Sequence, residues 1–261
     1  MTQECGRSHD GPSLSGHVIL VTGASSGLGH HAAQALSHAG ANVVLTARNS
    51  EPLCELAAGL PSAALVVPGD LTDEEHRKHL ISAAHERFGR IDGLVNYAAA
   101  ARVQPALRES TTDFDEIIQI NLVAPFALAR DAAAAMREQN IAGSIINISS
   151  VVGIIPVSWQ PNASYAAAKS GLIGLTKDLA SQWARYGIRV NSIAPGPFVT
   201  GMSGSEYVEG EGAERMRSAV PLGRMGRIDE LDGLVKLLMH SSSSFITGQT
   251  IAVDGGLSIS L

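Results

Sequence analysis

The sequence predicts a doubly wound α/β fold, in which a seven-stranded parallel sheet carries helices on both faces. Seven short apolar runs rich in β-branched residues alternate with longer stretches of helical periodicity; these runs are His17–Val21, Asn42–Thr46, Ala63–Val67, Gly93–Asn96, Ser144–Ile148, Arg189–Ile193 and Thr250–Val253. Their continuous apolar character predicts strands buried on both faces, as in a parallel sheet. Right-handed crossovers then bring all the carboxyl ends of the strands to one edge, where ligands bind.

The length and composition of the chain predict one domain. The chain has 261 residues, of which 45% are hydrophobic, and this is enough to bury one large core. Glycines before several strands are typical of helix ends rather than of linkers. We therefore expect a flexible polar tail over residues 1–13 and a single dinucleotide-binding catalytic domain over residues 14–261.

Charge and cysteine content exclude several classes of partner. The net charge of −6 lacks the basic stripe that a nucleic-acid partner requires. No apolar run approaches the roughly 20 residues that span a bilayer, and the N-terminus has no hydrophobic signal core. The two cysteines, Cys5 and Cys54, are too few for a disulfide framework. These features predict a soluble, cytoplasmic protein without a nucleic-acid or membrane partner.

A glycine-rich turn between the first strand and the first helix predicts a dinucleotide site, and so a Rossmann-type fold. Gly23 permits a tight turn, Gly27 allows the backbone to approach phosphate, and Gly29 allows the helix to pack closely on the strand. A pyrophosphate would then bind the free amides at the helix N-terminus. The residues expected to contact the cofactor here are Gly23, Ser25, Ser26, Gly27, Leu28 and Gly29.

The tip of the second strand bears on the choice of cofactor. A carboxylate at this tip would bind both ribose hydroxyls and repel a 2′-phosphate, whereas this chain has Ala47 followed by Arg48. Guanidinium is suited to bidentate phosphate binding, which favours NADP(H) over NAD(H). The alternative is a solvated surface arginine. Asp70, after the third strand, is a second candidate contact, although it could equally cap the helix that begins near Asp73.

A serine, a tyrosine and a lysine form the candidate catalytic group. Tyr165 and Lys169 are four residues apart on a predicted helix, so both project from one face. The lysine ammonium and an oxidised nicotinamide would lower the phenol pKa from its ordinary value near 10, making Tyr165 an acid/base catalyst. Ser150 follows the fifth strand and could stabilise charge developing on a substrate oxygen. Ser149 is the rival candidate for this role.

These motifs together resemble the classical short-chain dehydrogenase/reductase family, with 3-oxoacyl-carrier-protein reductase-like ketoreductases as the most similar members. The resemblance runs from about Leu14 to Leu257 and includes the glycine spacing, Asn121, Ser150, Tyr165 with Lys169, and the segment around Pro195. It implies that Ser150 is the catalytic serine. It also implies that Asn121 disrupts its helix and holds a water in contact with Lys169. Further cofactor contacts implied by the resemblance are Asp70, Leu71, Asn96, Ala98, Tyr165, Lys169, Pro195, Gly196, Phe198 and Thr200, with Lys169 binding ribose.

The chain departs from the family after the fourth strand. The usual Asn-Asn-Ala-Gly is replaced by Asn96-Tyr97-Ala98-Ala99, and we expect this bulk to shift the loop slightly outward. Candidate substrate contacts are Ile155 and Trp159 in the loop before Tyr165, and Met202 and Tyr207 in a glycine- and glutamate-rich segment suited to a lid. His76 and His79 share a helix face that we expect to be solvated, so no metal site is predicted.

The function predicted from the sequence is hydride transfer between NADP(H) and a ketone or secondary alcohol, with the reductive direction favoured. The alternatives are an NAD-dependent alcohol or polyol dehydrogenase and a catalytically idle dinucleotide-binding sensor or scaffold. The family resemblance implies a homotetramer, or a homodimer, acting on a small-molecule carbonyl or alcohol.

Overall fold

The computed structural model describes residues 13–157, 161–199 and 210–260, and its centre is one parallel sheet. The seven strands are β1 (Val18–Thr22), β2 (Asn42–Thr46), β3 (Ala64–Val66), β4 (Gly93–Asn96), β5 (Ser144–Ile148), β6 (Arg189–Pro195) and β7 (Thr250–Val253). They are hydrogen-bonded in the order β3-β2-β1-β4-β5-β6-β7, and every neighbouring pair is parallel. The predicted doubly wound sheet is confirmed.

Helices cover both faces of this sheet and close two apolar cores. The helices are α1 (Gly27–His38), α2 (Ser50–Ala58), α3 (Glu74–Phe88), α4 (Thr111–Ile118), α5 (Ala124–Glu138), α6 (Ala163–Trp183), α7 (Glu211–Ala219) and α8 (Asp232–Met239). Apolar residues of α1, α2 and α8 pack on one face of the sheet. Those of α3, α5 and α6 pack on the other. The buried strands therefore read as uninterrupted apolar runs.

The start of α3 corrects one expectation. Asp73, rather than Asp70, is the N-cap, because its carboxylate accepts a hydrogen bond of 3.0 Å from the Glu75 amide. Asp70 instead accepts from the amide and the hydroxyl of Thr72, both at 2.8 Å. This local turn fixes the Asp70 carboxylate beside the sheet edge, outside the helix.

A π-helical turn, Gln119–Val123, joins α4 to α5 without a break. In the part of the chain that the structure describes, the resulting helix Thr111–Glu138 is the one segment long and apolar enough to cross a membrane by length and composition. Half of its most apolar window is buried inside the fold. That burial is typical of a core helix, and Asn121, in the π turn, is fully buried.

Candidate active site

A single cleft of about 1040 Å³ follows the carboxyl edge of the sheet and contains most of the predicted site residues. We call one part the glycine-loop end; it is formed by Gly23, Ser25, Ser26, Gly27, Leu28, Gly29, Arg48, Asp70 and Leu71. We call the other part the serine–tyrosine end; it is formed by Ser150, Val152, Val157, Tyr165, Lys169, Met216 and Leu257. The two ends share one continuous space.

The glycines of the first turn are required by close backbone packing. A Cβ on Gly29 would lie 2.5 Å from the carbonyl oxygen of Gly23, and a Cβ on Gly23 would lie 2.9 Å from the backbone of Ala98. Gly23 also has a φ of +66°, which side chains disfavour. The Ser26 side chain makes no capping bond at the N-terminus of α1, and the first turn of α1 has no acidic residue. This end therefore offers free amides and a positive helix terminus to an anion.

Arg48 and Asp70 bring two exposed charges to the glycine-loop end. The Thr72 hydrogen bonds lower the pKa of the Asp70 carboxyl, and the nearby Arg48 guanidinium lowers it further. Arg48 is exposed and lines the cleft directly after Ala47. A cation therefore lies where the second strand ends, and no carboxylate takes its place at the strand tip.

The loop after β4 is anchored to the sheet. The Asn96 side chain turns into the core and donates to Oδ1 of Asn147 at 2.9 Å and to the Pro125 carbonyl at 3.3 Å. The side chain of Asn96 is therefore engaged in the core, and the expectation that Asn96 contacts the cofactor stays a prediction. The Ala98 amide donates to the Thr22 hydroxyl at 3.0 Å and holds the loop against β1.

Tyr97, which follows Asn96 in this loop, is buried. Its side chain joins the core on the α1 and α8 face of the sheet and is 9% exposed. Burial raises the pKa of the Tyr97 phenol, and the carboxylate of Asp232 on α8 raises it further. The ring is thus part of the wall behind Gly29, whose added Cβ would lie 3.1 Å from the Tyr97 Cβ.

The two serines after β5 have different surroundings. Ser149 is buried; its hydroxyl donates to the Ile193 carbonyl at 3.0 Å and accepts from the Ser192 hydroxyl at 2.7 Å. Ser150 lines the cleft and its hydroxyl is hydrogen-bonded to Tyr165. Both serines border the cleft, but Ser149 is tied to β6, and only the hydroxyl of Ser150 lies against the tyrosine.

Burial moves the pKa values of Tyr165 and Lys169 in opposite directions. It raises that of Tyr165 to about 12, partly offset by the hydrogen bond from Ser150. It lowers that of Lys169 to about 7. The expected lowering of the Tyr165 pKa by the Lys169 ammonium and an oxidised nicotinamide together stays a prediction. Lys169 is desolvated, and its Nζ lies over the tyrosine ring, 5.4 Å from the centroid.

Asn121 lies behind the serine–tyrosine end, in the π turn. Its amide nitrogen donates to the Ala100 carbonyl at 2.7 Å and to the Ile117 carbonyl at 2.9 Å. Its Oδ1 is buried and has no hydrogen-bond partner in the protein. A π turn is a known way to place such a side chain inside a helix. The expected local disruption of the helix at Asn121 is present.

Sequence reasoning missed Gly153, which couples the serine to the tyrosine helix. Val151–Gly153 forms a 3-10 turn directly after Ser150, and a Cβ on Gly153 would lie 2.8 Å from the Lys169 backbone. The Ser170 hydroxyl donates to the Gly153 carbonyl at 3.0 Å. A glycine three residues after the catalytic-type serine was the available signal. Its close approach fixes the distance between Ser150 and α6.

The described substrate-side walls differ partly from those predicted. Ile155 is absent from the described lining and packs against an apolar cluster of Val151, Val152, Val220 and Leu257. The lining comes instead from Val152, Val157, Met216 and Leu257. Trp159, Thr200, Met202 and Tyr207, like residues 1–12 of the predicted tail, lie outside the described residues. Pro195, Gly196 and Phe198 do line the cleft.

His76 corrects the expectation of a solvated histidine face. His76 is buried, its Nε2 lies 3.0 Å from the Thr46 hydroxyl, and burial lowers its pKa. Its ring packs so closely on the loop after β3 that a Cβ on Gly69 would lie 2.2 Å from Nδ1. His79 is exposed, as predicted. Among the described residues, no group of three or more histidine, cysteine or acidic side chains is placed to hold a metal.

Comparison with known proteins places the whole described fold in a large group of relatives. A family model described as enoyl-(acyl carrier protein) reductase matches residues 23–258. The solved structure of a short-chain type dehydrogenase/reductase from Mycobacterium marinum is 35% identical and has a TM-score of 0.89, with 95% of this chain and 97% of that one covered. A Beutenbergia cavernae protein, solved with NADP at low occupancy, is 34% identical with a TM-score of 0.86, covering 95% and 99%.

Three curated relatives match nearly end to end. A 3-oxoacyl-(acyl-carrier-protein) reductase from Thermotoga maritima is 37% identical over 249 residues, with 94% of this chain and 99% of the relative covered. Gluconate 5-dehydrogenase from Gluconobacter oxydans is 36% identical over 253 residues, covering 95% and 97%. 3β-Hydroxysteroid dehydrogenase 1 from Eggerthella lenta is 35% identical over 253 residues, covering 94% and 95%. Their names refer to three different substrates.

Proposed function

The chain belongs to the short-chain dehydrogenase/reductase family and is an oxidoreductase of alcohols and ketones, and we propose that it reduces a ketone with NADPH. The observation that carries this proposal is the convergence of Ser150, Tyr165 and Lys169 at one end of a cleft whose other end is a glycine turn. One continuous space can then hold a dinucleotide and a substrate side by side.

The glycine-loop end fits a dinucleotide. The Gly23 and Gly29 positions leave no room for side chains. A ligand can therefore approach the backbone of this turn closely. We propose that the α1 N-terminus and Ser25–Gly29 hold the pyrophosphate, and that Asp70 and Leu71 hold the adenine. Ala98 would border the ribose, while Pro195, Gly196 and Phe198 would hold the nicotinamide side.

The preference for NADP(H) rests on Arg48. An exposed guanidinium after Ala47 suits a 2′-phosphate, since no carboxylate at the strand tip repels it. The relative from Beutenbergia cavernae, which holds NADP, supports the same choice. NAD(H) remains the alternative, and the assay below separates the two.

The high pKa of Tyr165 suits an acid in the reductive direction. A phenol with a pKa of about 12 is protonated at neutral pH, so it has a proton to donate to a carbonyl oxygen. The Ser150 hydroxyl, which already lies against the phenol, would donate to the same oxygen and stabilise the charge that develops there. The nicotinamide supplies the hydride.

Lys169 and Asn121 would return a proton to Tyr165. Lys169 is buried, and its Nζ donates to the Ile148 carbonyl at 2.8 Å, which holds the side chain beneath the tyrosine ring. A pKa of about 7 lets Lys169 gain and lose a proton near neutral pH. We propose that the unpaired Oδ1 of Asn121 accepts from a water that contacts Lys169.

A homo-oligomer is the assembly we propose, a tetramer or a dimer. Helices α4–α5 and α6 are the surfaces that the family resemblance points to. Val123 and Phe126 support this, because these apolar side chains are 40% and 37% exposed on that helix surface. Light scattering during size exclusion would measure the mass, and a monomer at micromolar concentration would contradict the proposal.

The deciding assay follows oxidation of NADPH and NADH with a panel of ketones. We expect turnover with a higher kcat/KM for NADPH, and a loss of about 10²- to 10⁴-fold in Tyr165→Phe, the range for removing a general acid. Tyr186→Phe is the matched control, since Tyr186 is 39% exposed and lies outside the lining of the cleft. Equal or better use of NADH would overturn the cofactor choice.

Dinucleotide binding must be measured beside turnover. Fluorescence titration of NADPH should give the same Kd for the wild type and Tyr165→Phe within about threefold, since a single hydroxyl on the ring edge changes. Binding without turnover of any ketone, together with no effect of the substitution, would contradict the proposed reaction and favour a dinucleotide sensor.

A further inference from the structure

The walls of the serine–tyrosine end are aliphatic. Tyr165 packs against the cluster of Val151, Val152, Val220 and Leu257. Val157 and Met216 extend the same wall along the cleft, and Leu257 is held by a C-terminal turn. The Asp254 carboxylate builds that turn by accepting from the Gly256 amide at 2.9 Å and the Ser258 amide at 2.8 Å. The wall is therefore a fixed apolar surface beside the reacting groups.

Each cation that lines the described cleft either is hydrogen-bonded or ion-paired within the protein or lies away from this wall. They are Arg48, Arg102 and Lys169. Arg48 belongs to the glycine-loop end, and Lys169 donates to the Ile148 carbonyl beneath Tyr165. No described lysine or arginine other than these three borders the cleft.

Arg102, which also lines the cleft, is already paired with carboxylates. It lies in the loop after β4 and forms ion pairs with two carboxylates of α4, those of Asp113 and Glu116, the latter at 3.2 Å. Glu116 itself lines the cleft. A substrate anion at this place would face both carboxylates, and their repulsion disfavours its binding.

The neighbouring stretches of sequence add no positive charge. Residues 158–160 and 200–209 contain no lysine or arginine, and the second stretch contains Glu206 and Glu209.

Three neutral polar side chains line the cleft beside this wall. Ser150 and Tyr165 line the same end of the cleft as the wall. Asn162, at the N-cap of α6, also lines the cleft, and its side chain makes no capping hydrogen bond. These groups suit one carbonyl and a second neutral oxygen.

We propose that the substrate is a neutral, mainly apolar ketone or secondary alcohol with an alicyclic or similarly bulky carbon skeleton. This proposal rests on the proposed reaction and narrows its substrate class. It excludes a sugar acid and an acyl group on a phosphate-bearing carrier arm, because their anionic groups would be desolvated without a partner. Apolar substrate surface would instead be buried against Val152, Val157, Met216 and Leu257.

A matched substrate pair tests the charge preference directly. The pair is a cyclohexanone with a carboxylate opposite the carbonyl and the methyl ester of the same compound, each assayed with saturating NADPH. We expect a kcat/KM about 100-fold higher for the ester, a difference that corresponds to about 2.8 kcal/mol. Gluconate-derived keto acid and an acetoacetyl thioester of coenzyme A complete the panel, and both should be poor substrates.

A charge inserted in the wall should reverse part of this preference. Leu257→Arg is expected to raise the kcat/KM of the carboxylate about tenfold and to lower that of the ester, since a new guanidinium would pair with the carboxylate. Leu107→Arg is the matched control, because Leu107 is fully exposed at 102% and lies outside the lining of the cleft. If Leu257→Arg does not fold, Met216→Lys introduces a cation from α7 instead.

The outcomes separate this proposal from the reaction on which it rests. Equal or faster turnover of the carboxylate, or of the gluconate-derived keto acid, by the wild type would overturn the substrate class and leave ketone reduction standing. Turnover of none of the ketones with either dinucleotide would overturn the reaction itself and the substrate class with it.

Discussion

The two ends of the cleft differ in how they treat charge. At the glycine-loop end, Arg48 and Asp70 are exposed, and hydrogen bonds from Thr72 keep the Asp70 pKa low. At the serine–tyrosine end, Lys169 is buried and Tyr165 is partly buried, and among the described residues no carboxylate forms an ion pair with Lys169. Hydration stabilises the first pair of charges, whereas burial shifts the second pair toward their neutral forms.

This difference indicates what each end can tolerate. Exposed charges contribute little to folding, so the glycine-loop end can change its ligand preference at small cost in stability. A buried lysine destabilises the folded state, and it is retained only where chemistry requires it. The predictions that follow test this contrast, from the largest expected effect to the smallest.

Replacing Lys169 should separate activity from stability. In Lys169→Met we expect ketone reduction to fall about 10³-fold, as for loss of a group that serves acid–base catalysis. The free energy of unfolding should rise by about 1 to 4 kcal/mol, because an apolar side chain replaces a desolvated amine. Steady-state kinetics and urea unfolding below pH 7 measure the two effects. Lys177→Met, exposed on the same helix, should change neither.

The titration of Lys169 should determine part of the pH dependence of the free energy of unfolding. Its pKa is about 7 in the folded protein against an ordinary 10.5, so between these values the unfolded chain binds a proton that the folded protein lacks. Raising the pH through this window therefore stabilises the fold, by a few kcal/mol in total. Below pH 7 the cost of burying the charge is fully present. Urea unfolding across this range should lose this slope in Lys169→Met; an unchanged slope would contradict the assignment.

Gly153→Ala should weaken catalysis while leaving dinucleotide affinity unchanged. Its methyl group would press on the Lys169 backbone at 2.8 Å and move Ser150 relative to Tyr165. We expect kcat to fall about 10- to 100-fold, since small displacements of reacting groups have effects of this order. Gly174→Ala on α6 has open space and should keep full activity. A kcat within twofold of the wild type would refute the coupling.

Arg48→Gln should have the smallest effect and act only on NADPH. Loss of a charge-assisted phosphate contact should raise the KM for NADPH about 10-fold, which corresponds to about 1.4 kcal/mol. The KM for NADH and the free energy of unfolding should stay unchanged. Arg87→Gln, exposed on α3, is the control. A parallel loss with both dinucleotides would show that Arg48 does not distinguish them.

The strands could be predicted well from the sequence because strands buried on both faces consist of continuous apolar residues. Asn42–Thr46, Gly93–Asn96, Ser144–Ile148 and Thr250–Val253 have the predicted bounds. The remaining three strands differ by one or two residues at their ends. Continuous apolar runs on a sheet covered by helices are a local signal, so each strand could be recognised without knowledge of its neighbours.

The features that the sequence did not predict concern side chains whose direction depends on distant partners. Asn96 turns toward Asn147, which is 51 residues away, and His76 turns toward Thr46, which is 30 residues away. Sequence spacing carries no information on such pairs. Ile155, expected in the cleft, packs against an apolar cluster that includes Val152. The opposed pKa shifts of Tyr165 and Lys169 likewise follow from burial, which the helical spacing alone does not give.

The π turn at Gln119–Val123 sets the rotational phase of a whole helix. Such a turn holds one residue more than regular α-helix, and one residue corresponds to about 100° of rotation. Deleting that insertion would remove more than the buried position of Asn121. It would turn α4 about its axis and carry away Asp113 and Glu116, the two carboxylates that neutralise Arg102 in the lining of the cleft. A single inserted residue therefore determines both the position of Asn121 in the candidate proton relay and the charge balance around Arg102.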